Sequence, residues 1–305
     1  MSSTPRPRWS PEPESRWIDS DGGRLFAQRW PARDAAAAPI VLLHDSLGCV
    51  ELWRDVPARL AAASGREVVA YDRLGFGRSD PHPGALGAGF VVEEAAGGLR
   101  AVCDALRLER FVVFGHSVGG GMAVAAAALH RQRCTGLISE SAQAFVEDRT
   151  RAGILAAREA FAQPQQMQRL RKYHGDKAPW VLGAWIDTWL SDAFAGWNLD
   201  AQLAQVICPT LVVHGDAAPA RRLRSCAASR ARRRGAGPRR GVARIERGLI
   251  ARRRAPRRRG ARRHCVFFTG ATPICDGDWQ LPGFCAATAV LACAVPGPGP
   301  LRREK

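Results

Sequence analysis

The chain has 305 residues, and 46% of them are hydrophobic, which is enough for a packed core and excludes a collagen-like or wholly disordered chain. No apolar run reaches the roughly 18 residues that a membrane span needs, so we expect no transmembrane helix. Residues 1–15 are rich in Pro, Ser and Arg and lack the apolar stretch of a secretory signal. We expect this N-terminus to be disordered and the protein to be cytoplasmic.

The net charge of +17 is confined to the last part of the chain. Residues 218–305 hold 22 basic and 4 acidic residues, whereas residues 1–217 hold 23 basic and 24 acidic ones. Two sequences of different character therefore meet near Ala217, and each needs its own interpretation.

Up to that point, short apolar runs alternate with amphipathic segments, a pattern that predicts an α/β fold with a mostly parallel sheet flanked by helices. Residues 144–203 are helical in pattern and are interpreted as an insertion over one edge of the sheet. The predicted elements are a hairpin from Trp17 to Trp30, strands at 39–43, 68–71, 111–114, 137–138 and 211–213, and helices at 52–63, 91–108 and 119–130.

A Gly-x-Ser-x-Gly sequence lies between the predicted strand at 111–114 and the helix that follows it. A serine on such a tight turn needs small neighbours, which explains Gly115 and Gly119. The turn would lift Ser117 above the sheet edge, with the backbone N–H of Val118 facing any negative charge that forms beside it. We therefore predict Ser117 as a nucleophile and Val118 as one oxyanion donor.

Two other loops follow predicted strands. The first is His44-Asp45-Ser46-Leu47-Gly48, where the backbone N–H of Ser46 is the predicted second oxyanion donor. His44 is interpreted as a buried histidine that orders this turn. The second loop begins at Asp72, whose carboxylate we expect to accept hydrogen bonds from the glycine-rich residues up to Ser79.

In this order and spacing, these segments resemble motifs of the α/β-hydrolase family. The resemblance covers residues 16–217 and implies a helical cap at about 144–203, a Ser-acid-His triad, and hydrolysis of an ester, lactone or related carbonyl compound. Serine at the nucleophile position differs from the dehalogenase branch, which uses aspartate there. The matching segments are 42–48 for the oxyanion loop, 71–79 for the D-x-x-G-x-G-x-S loop, 115–119 for the nucleophile elbow and 209–216 for the strand that delivers the acid.

The sequence also departs from the family pattern. Asp45 replaces the usual glycine after the histidine of the oxyanion loop, and Ala218 stands where the resemblance places the catalytic acid. Asp216, two residues earlier, is the candidate acid, and Glu140, after the predicted strand at 137–138, is the alternative.

The general base remains unknown from the sequence. The resemblance places a histidine roughly 25–30 residues after the acid, and that window contains none. His264 is flanked by arginines, which would depress its pKa, and nothing marks it as held in place. His116 should point away from the nucleophile by alternation, and His174 is interpreted as a loop residue.

Residues 218–305 are predicted to be an Arg-rich tail that is largely irregular and not natively folded, with 265–268 as its one candidate strand. Arg, Ala, Gly and Pro dominate there, as in a GC-rich gene translated out of frame, so we hypothesise a frameshift near Ala217 and Ala218. A genuine nucleic-acid-binding arm is the alternative, although residues 218–263 contain no aromatic residue for base stacking.

The sequence thus predicts a serine hydrolase, impaired in this chain, that acts on a small ester-like molecule without a cofactor. The alternative is a non-catalytic hydrolase-fold protein whose basic tail binds nucleic acid or another polyanion non-specifically. The cysteine spacings contain no Cys-x-x-Cys pair, and we expect no metal site.

Overall fold

The computed structural model describes residues 12–213 and 265–268. The first strand begins at Glu14 and pairs with the next strand along its whole length, so the prediction of disorder is wrong for residues 14 and 15, whereas residues 1–11 lie outside the described residues. The eight strands of the described part are β1 (Glu14–Ser20), β2 (Gly23–Trp30), β3 (Ile40–Leu43), β4 (Val68–Tyr71), β5 (Phe111–His116), β6 (Cys134–Glu140), β7 (Thr210–Val213) and β8 (Cys265–Phe268).

Helices connect and cover these strands. Short 3-10 turns lie at Glu51–Trp53 and Gly175–Lys177. The α-helices of the described residues are α1 (Val56–Ser64), α2 (Phe90–Ala96), α3 (Gly98–Ala105), α4 (Val118–Leu129), α5 (Asp148–Ala160), α6 (Pro164–His174), α7 (Ala178–Leu190), α8 (Asp192–Ala195) and α9 (Asp200–Gln205).

The strands form one sheet in the order β1-β2-β4-β3-β5-β6-β7-β8. The predicted hairpin is present as β1 and β2, which turn at Asp21 and Gly22, and β2 pairs antiparallel with β4. Every other neighbouring pair is parallel. The carboxyl ends of β3, β4, β5, β6 and β7 therefore meet at one edge of the sheet, where loops can assemble a site.

The central strands are apolar throughout because helices cover both faces of the sheet. In β3, Val41 and Leu43 enter a large cluster with α2, α3, α4 and the helices after β6, whereas Ile40 and Leu42 enter a smaller cluster with α1. Residues of β4 and β5 divide between the clusters in the same alternating way. This two-sided burial explains why short unbroken apolar runs predicted these strands correctly.

The single helix predicted over 91–108 is wrong, because the structure divides it into α2 and α3. Gly97 lies between them with φ −105° and ψ −89°, which is not a helical conformation. The adjacent Gly97 and Gly98 lower the free energy lost by breaking the helix here, since glycine favours the helical state least among non-proline residues.

The predicted helical insertion is confirmed and lies between β6 and β7. Its helices run from Asp148 to Gln205, and the last of them, α9, packs on α4 of the core. An aromatic cluster joins the insertion to the core. The ring centroid of Phe194 lies 5.5 Å from that of Phe90 in the core and 5.1 Å from that of Trp189 in the insertion. None of the described helices is long and apolar enough to cross a membrane.

In the tail, the predicted strand at 265–268 is present as β8, beside β7. The predictions for the rest of residues 218–305, including the frameshift and the polyanion-binding arm, lie outside the described residues. The division of the chain into residues 1–15, 16–217 and 218–305 stays a prediction.

Candidate active site

Ser117 lies on the turn between β5 and α4, where the sequence predicts it. Its backbone has φ 54° and ψ −124°, an unusual conformation for a residue with a side chain. Backbone bonds fix the turn on both sides, because the Ser117 N–H donates to Glu140 O at 2.9 Å and its carbonyl accepts from Gly120 N at 2.9 Å. Such strain costs about 1–3 kcal/mol and is found mainly where function needs the geometry.

The neighbouring glycines permit this turn. A Cβ on Gly115 would overlap the backbone of Gly119. A Cβ on Gly119 would in turn overlap the carbonyl of Leu43, at the end of β3. The start of α4 therefore packs directly on the backbone of β3, which is possible only without side chains at both positions.

The two predicted oxyanion donors line one pocket at this edge. Ser46 follows β3, and Val118 is the first residue of α4, directly after Ser117. Both border a pocket of about 180 Å³, part of which is open to solvent. Phe90 and two tryptophans of α7, Trp185 and Trp189, form much of its apolar wall. The first turn of α4 has backbone N–H groups without helical partners and the positive end of the helix dipole, a combination that stabilises nearby negative charge.

His44 orders the oxyanion loop, as predicted. It is buried, with Nδ1 2.8 Å from the carbonyl oxygen of Asp45, and its Nε2 accepts from Arg73 N at 3.2 Å. These bonds assign the proton to Nδ1, because Nε2 must accept. Burial and the nearby charge of Arg73 lower the pKa of His44 well below its usual value, so the ring is neutral.

Asp72 joins the loop after β4 to the segment that precedes α1. Its Oδ1 accepts from Val50 N at 2.6 Å and its Oδ2 from Arg78 N at 2.7 Å. The predicted architectural role of this carboxylate is thereby confirmed. Burial raises its pKa to about 6 although both hydrogen bonds oppose the shift.

Asp45, the departure from the usual family glycine, faces His116 beside the elbow. Asp45 Oδ2 lies 3.6 Å from His116 Nδ1, and Asp45 Oδ1 accepts from Leu47 N at 2.8 Å. Burial opposes charge on both side chains, but their mutual attraction lowers the pKa of Asp45 to about 2 and raises that of His116. The sequence predicts that His116 points away from the nucleophile but does not indicate this ion pair.

Glu140 ends β6, directly beside His116 in the sheet register. Its side chain is buried, and neither carboxylate oxygen has a hydrogen-bond partner among the described residues. Burial raises the pKa of this carboxyl group, which the charge of His116 partly offsets. A buried carboxylate without partners is costly, so Glu140 is the most conspicuous unsatisfied group at this edge.

His174 is the last residue of α6 and not the loop residue that the sequence analysis expected. It is 1% exposed and bridges two core loops, accepting from Gly77 N at Nδ1 (2.8 Å) and lying 3.0 Å from Leu47 O at Nε2. Burial lowers its pKa to about 4. This residue attaches the insertion to the loop that carries Ser46.

Arg73, which the sequence analysis did not single out, lines the same pocket as Ser46 and Val118. The side chain is buried, and its guanidinium carbon lies 4.0 Å from the ring centroid of Phe76. Its Nη2 donates to Asp45 O at 2.9 Å, whereas its buried Nε has no described partner. Burial lowers the pKa of this guanidinium, a sign that its charge is costly there.

The structure does not describe the remaining predicted site residues. Asp216, Ala218 and His264 lie outside the described residues, so the acid and the general base stay predictions. Within residues 12–213 and 265–268, no group of three or more His, Cys, Asp or Glu residues could hold a metal ion.

Comparison with known proteins agrees with this architecture. A family model described as alpha/beta hydrolase fold matches residues 38–188. Haloalkane dehalogenase 2 of Mycobacterium tuberculosis is 33% identical over 135 residues, 44% of this chain and 44% of that protein. Epoxide hydrolase B of the same species is 32% identical over 127 residues, 41% of this chain and 35% of that protein. The chain thus spans less than half the length of these relatives.

Solved structures give the same fold. The enol-lactonase from Burkholderia xenovorans has a TM-score of 0.51 at 21% identity, covering 70% of this chain and 87% of that one. A thermophilic esterase from Thermogutta terrifontis has a TM-score of 0.52 at 20% identity, covering 71% and 86%. With its parallel sheet, its serine on the β5–α4 turn and these matches, the chain belongs to the α/β-hydrolase fold family.

Proposed function

We propose that this fold carries a serine hydrolase site for a small ester, lactone or related carbonyl compound. Ser117 attacks the carbonyl carbon, and the N–H groups of Ser46 and Val118 stabilise the tetrahedral oxyanion. The observation that carries this proposal is the strained backbone of Ser117 at the start of α4, beside a pocket that both donors line. The names of the curated relatives favour hydrolytic chemistry, but those proteins share less than half their length with this chain.

The acid is proposed to be one of two carboxylates. Asp216 has the chain position closer to that implied by the family, after β7. Glu140 has the structural support, since it is buried at the end of β6 and neither of its oxygens has a partner among residues 12–213 and 265–268. A protonated histidine is the partner that such a carboxylate lacks.

None of the five described histidines is poised as a general base. His44 and His174 use both ring nitrogens, and His116 faces Asp45. His82 and His130 lie against the backbone carbonyls of Gly84 and Ala95. The base must come from residues outside the described part, or this chain lacks it.

We therefore propose that the chain as given is impaired, with a frameshift as the cause. Loss of a triad member costs on the order of 10⁴ to 10⁶ in turnover. Restoring the reading frame near Ala217 should encode an acid near position 218 and a histidine roughly 25–30 residues later, and should raise aryl-ester hydrolysis by roughly 100-fold or more. Equal activity of both forms would contradict the frameshift proposal.

The nucleophile is tested directly by a fluorophosphonate probe. Ser117→Ala should abolish covalent labelling, whereas Ser64→Ala, in α1 and outside the lining of the pocket, should leave it unchanged. Peptide mass spectrometry should place the adduct on Ser117. Labelling that survives in Ser117→Ala would show that another residue reacts and would overturn the assignment.

A further inference from the structure

The pocket beside Ser117 contains an unusual charge. Most of its lining is apolar, and Arg73 is the charged residue among the described residues that border it. A buried arginine is normally satisfied by a carboxylate, because an unpaired buried charge costs several kcal/mol. Arg73 instead bonds to a backbone carbonyl, that of Asp45, and leaves its buried Nε without a described partner.

The surrounding acidic groups already have other partners. Glu94 accepts a 2.5 Å hydrogen bond from the Tyr71 hydroxyl, and Asp45 faces His116 at 3.6 Å. Neither Glu94 nor Asp45 borders the pocket, so the charge that the pocket presents is the positive one of Arg73. Glu94 and Asp45 attract the guanidinium at longer range, which helps to keep it charged.

The position of this cation defines what it can recognise. Arg73 borders the pocket together with Ser46, so an acyl group whose carbonyl oxygen faces the Ser46 N–H has Arg73 as a neighbour. Phe76 packs against the guanidinium and restricts its movement, with 4.0 Å between the guanidinium carbon and the ring centroid. The planar guanidinium is held by Phe76 and has no partner at Nε among the described residues, so it suits a carboxylate. Charge-assisted hydrogen bonds between arginine and a carboxylate are strong and geometrically specific.

We propose that Arg73 is a specificity residue and that the pocket accepts short acyl groups that carry a carboxylate. The inference rests on the proposed serine hydrolase site, whose acyl pocket this would be. The pocket is small and partly open to solvent, which favours a short acyl chain over a bulky one. The carboxylate would satisfy the N–H donor of Arg73 and neutralise its charge in one contact.

The test measures binding, so its result does not depend on the general base. In the full chain carrying Ser117→Ala, we compare monomethyl succinate with methyl 4-oxopentanoate, in which a methyl ketone replaces the carboxylate. Trp185 and Trp189 line the pocket and provide a fluorescence signal, and calorimetry checks it. We expect the carboxylate ligand to bind about 10-fold more tightly, as one charge-assisted hydrogen bond predicts.

Two arginines of the same loop, one in the pocket and one outside it, test whether Arg73 causes the carboxylate preference. Arg73→Met should remove the preference, whereas Arg78→Met should retain it, because Arg78 is exposed and packs on Phe26 outside the pocket. If Arg73→Met does not fold, Arg73→Lys keeps the charge but loses the planar fork, and the preference should fall several-fold. Equal affinities in the parent, or a preference that survives in the Arg73 variant, would overturn the proposal.

Failure of this proposal and failure of the proposed function give different results. A carboxylate preference that depends on Arg73, without Ser117-dependent labelling or hydrolysis, would support the anion site and reject the hydrolase. Ser117-dependent chemistry with equal affinity for the two ligands would support the hydrolase and reject the carboxylate specificity.

Discussion

The two sides of the pocket edge differ in how complete they are. At the ends of β3, β4 and β5, the side chains of His44 and Asp72 are hydrogen-bonded to backbone groups of neighbouring loops. At the end of β6, the Glu140 carboxylate has no partner among the described residues. The polar side chains of the nucleophile side, at the ends of β3 and β4, are thus hydrogen-bonded within the described residues, whereas the Glu140 carboxylate of the acid side, at the end of β6, is not.

The strongest test of the nucleophile side is Gly119→Ala. Its Cβ would overlap the Leu43 carbonyl, and backbone cannot move aside as a flexible side chain can. We expect the free energy of unfolding to fall by at least about 3 kcal/mol in urea denaturation, together with loss of probe labelling at Ser117.

Gly121→Ala, on the same helix, is the matched control. A Cβ there would lie 3.5 Å from Leu199 Cδ1, an ordinary contact. Alanine also favours the helix over glycine by about 1 kcal/mol, so stability should stay level or rise. Equal stability of the two variants would mean that α4 does not rest on β3 as closely as the structure has it.

The turn that carries Ser117 could be predicted from the sequence because its determinants are local. The strain at Ser117 requires small residues at fixed spacing, and Gly115 and Gly119 stand there. Strands β3, β4 and β5 are buried on both faces of the sheet, so their residues are almost all apolar, and these apolar runs made the strands predictable. The resemblance to the hydrolase family added the oxyanion loop, which composition alone does not indicate.

Other contacts could not be predicted because their partners are remote in sequence. His174 contacts Gly77 and Leu47, which lie 97 and 127 positions away. The ion pair of Asp45 with His116 depends on the register that places Leu43 of β3 opposite Gly115 of β5. No sequence pattern specifies such a register, although polar residues at or just past the ends of neighbouring strands, here His116 and Asp45, could have suggested the pair.

His174 gives a pH-dependent test of how the insertion is attached. Its pKa is lowered from 6.5 to about 4, chiefly by burial, so the unfolded chain binds the proton more readily than the folded one. The stabilisation is present above pH 6.5 and is lost as the pH falls towards 4, by up to about 3 kcal/mol. Protonation at Nδ1 would also remove the acceptor of the Gly77 N–H and place two N–H groups face to face.

The measurement is the difference in unfolding free energy between the parent and His174→Gln from pH 7 to pH 4. Subtraction of the variant removes most of the titration of other groups. The charged groups that act on His174 are Lys177, Asp45 and Arg73, and all three remain in the variant. We expect the difference to shrink as the pH falls. The control is Ser191→Ala, which changes a helix cap in the insertion without a titratable group and should give a constant difference. A constant difference for His174→Gln would refute the attachment described here.

A smaller effect is expected on the acid side, from Glu140→Met. Replacing an unsatisfied buried carboxyl group with an apolar side chain of similar volume should raise the free energy of unfolding by about 1–2 kcal/mol at pH 7. Because burial raises the pKa of Glu140, the parent loses stability as the pH rises through that pKa, so the gain should be larger at pH 7 than at pH 4.5.

Glu67→Met is the control for this substitution, because Glu67 accepts two hydrogen bonds from Arg29 at 2.9 and 3.0 Å and should lose stability when replaced. If Glu140→Met is stabilising and also lowers the hydrolysis rate of the frame-restored protein, the buried carboxylate is held for catalysis at a cost in stability. If Glu140→Met is destabilising, Glu140 has a partner outside the described residues, and the acid side is as complete as the nucleophile side.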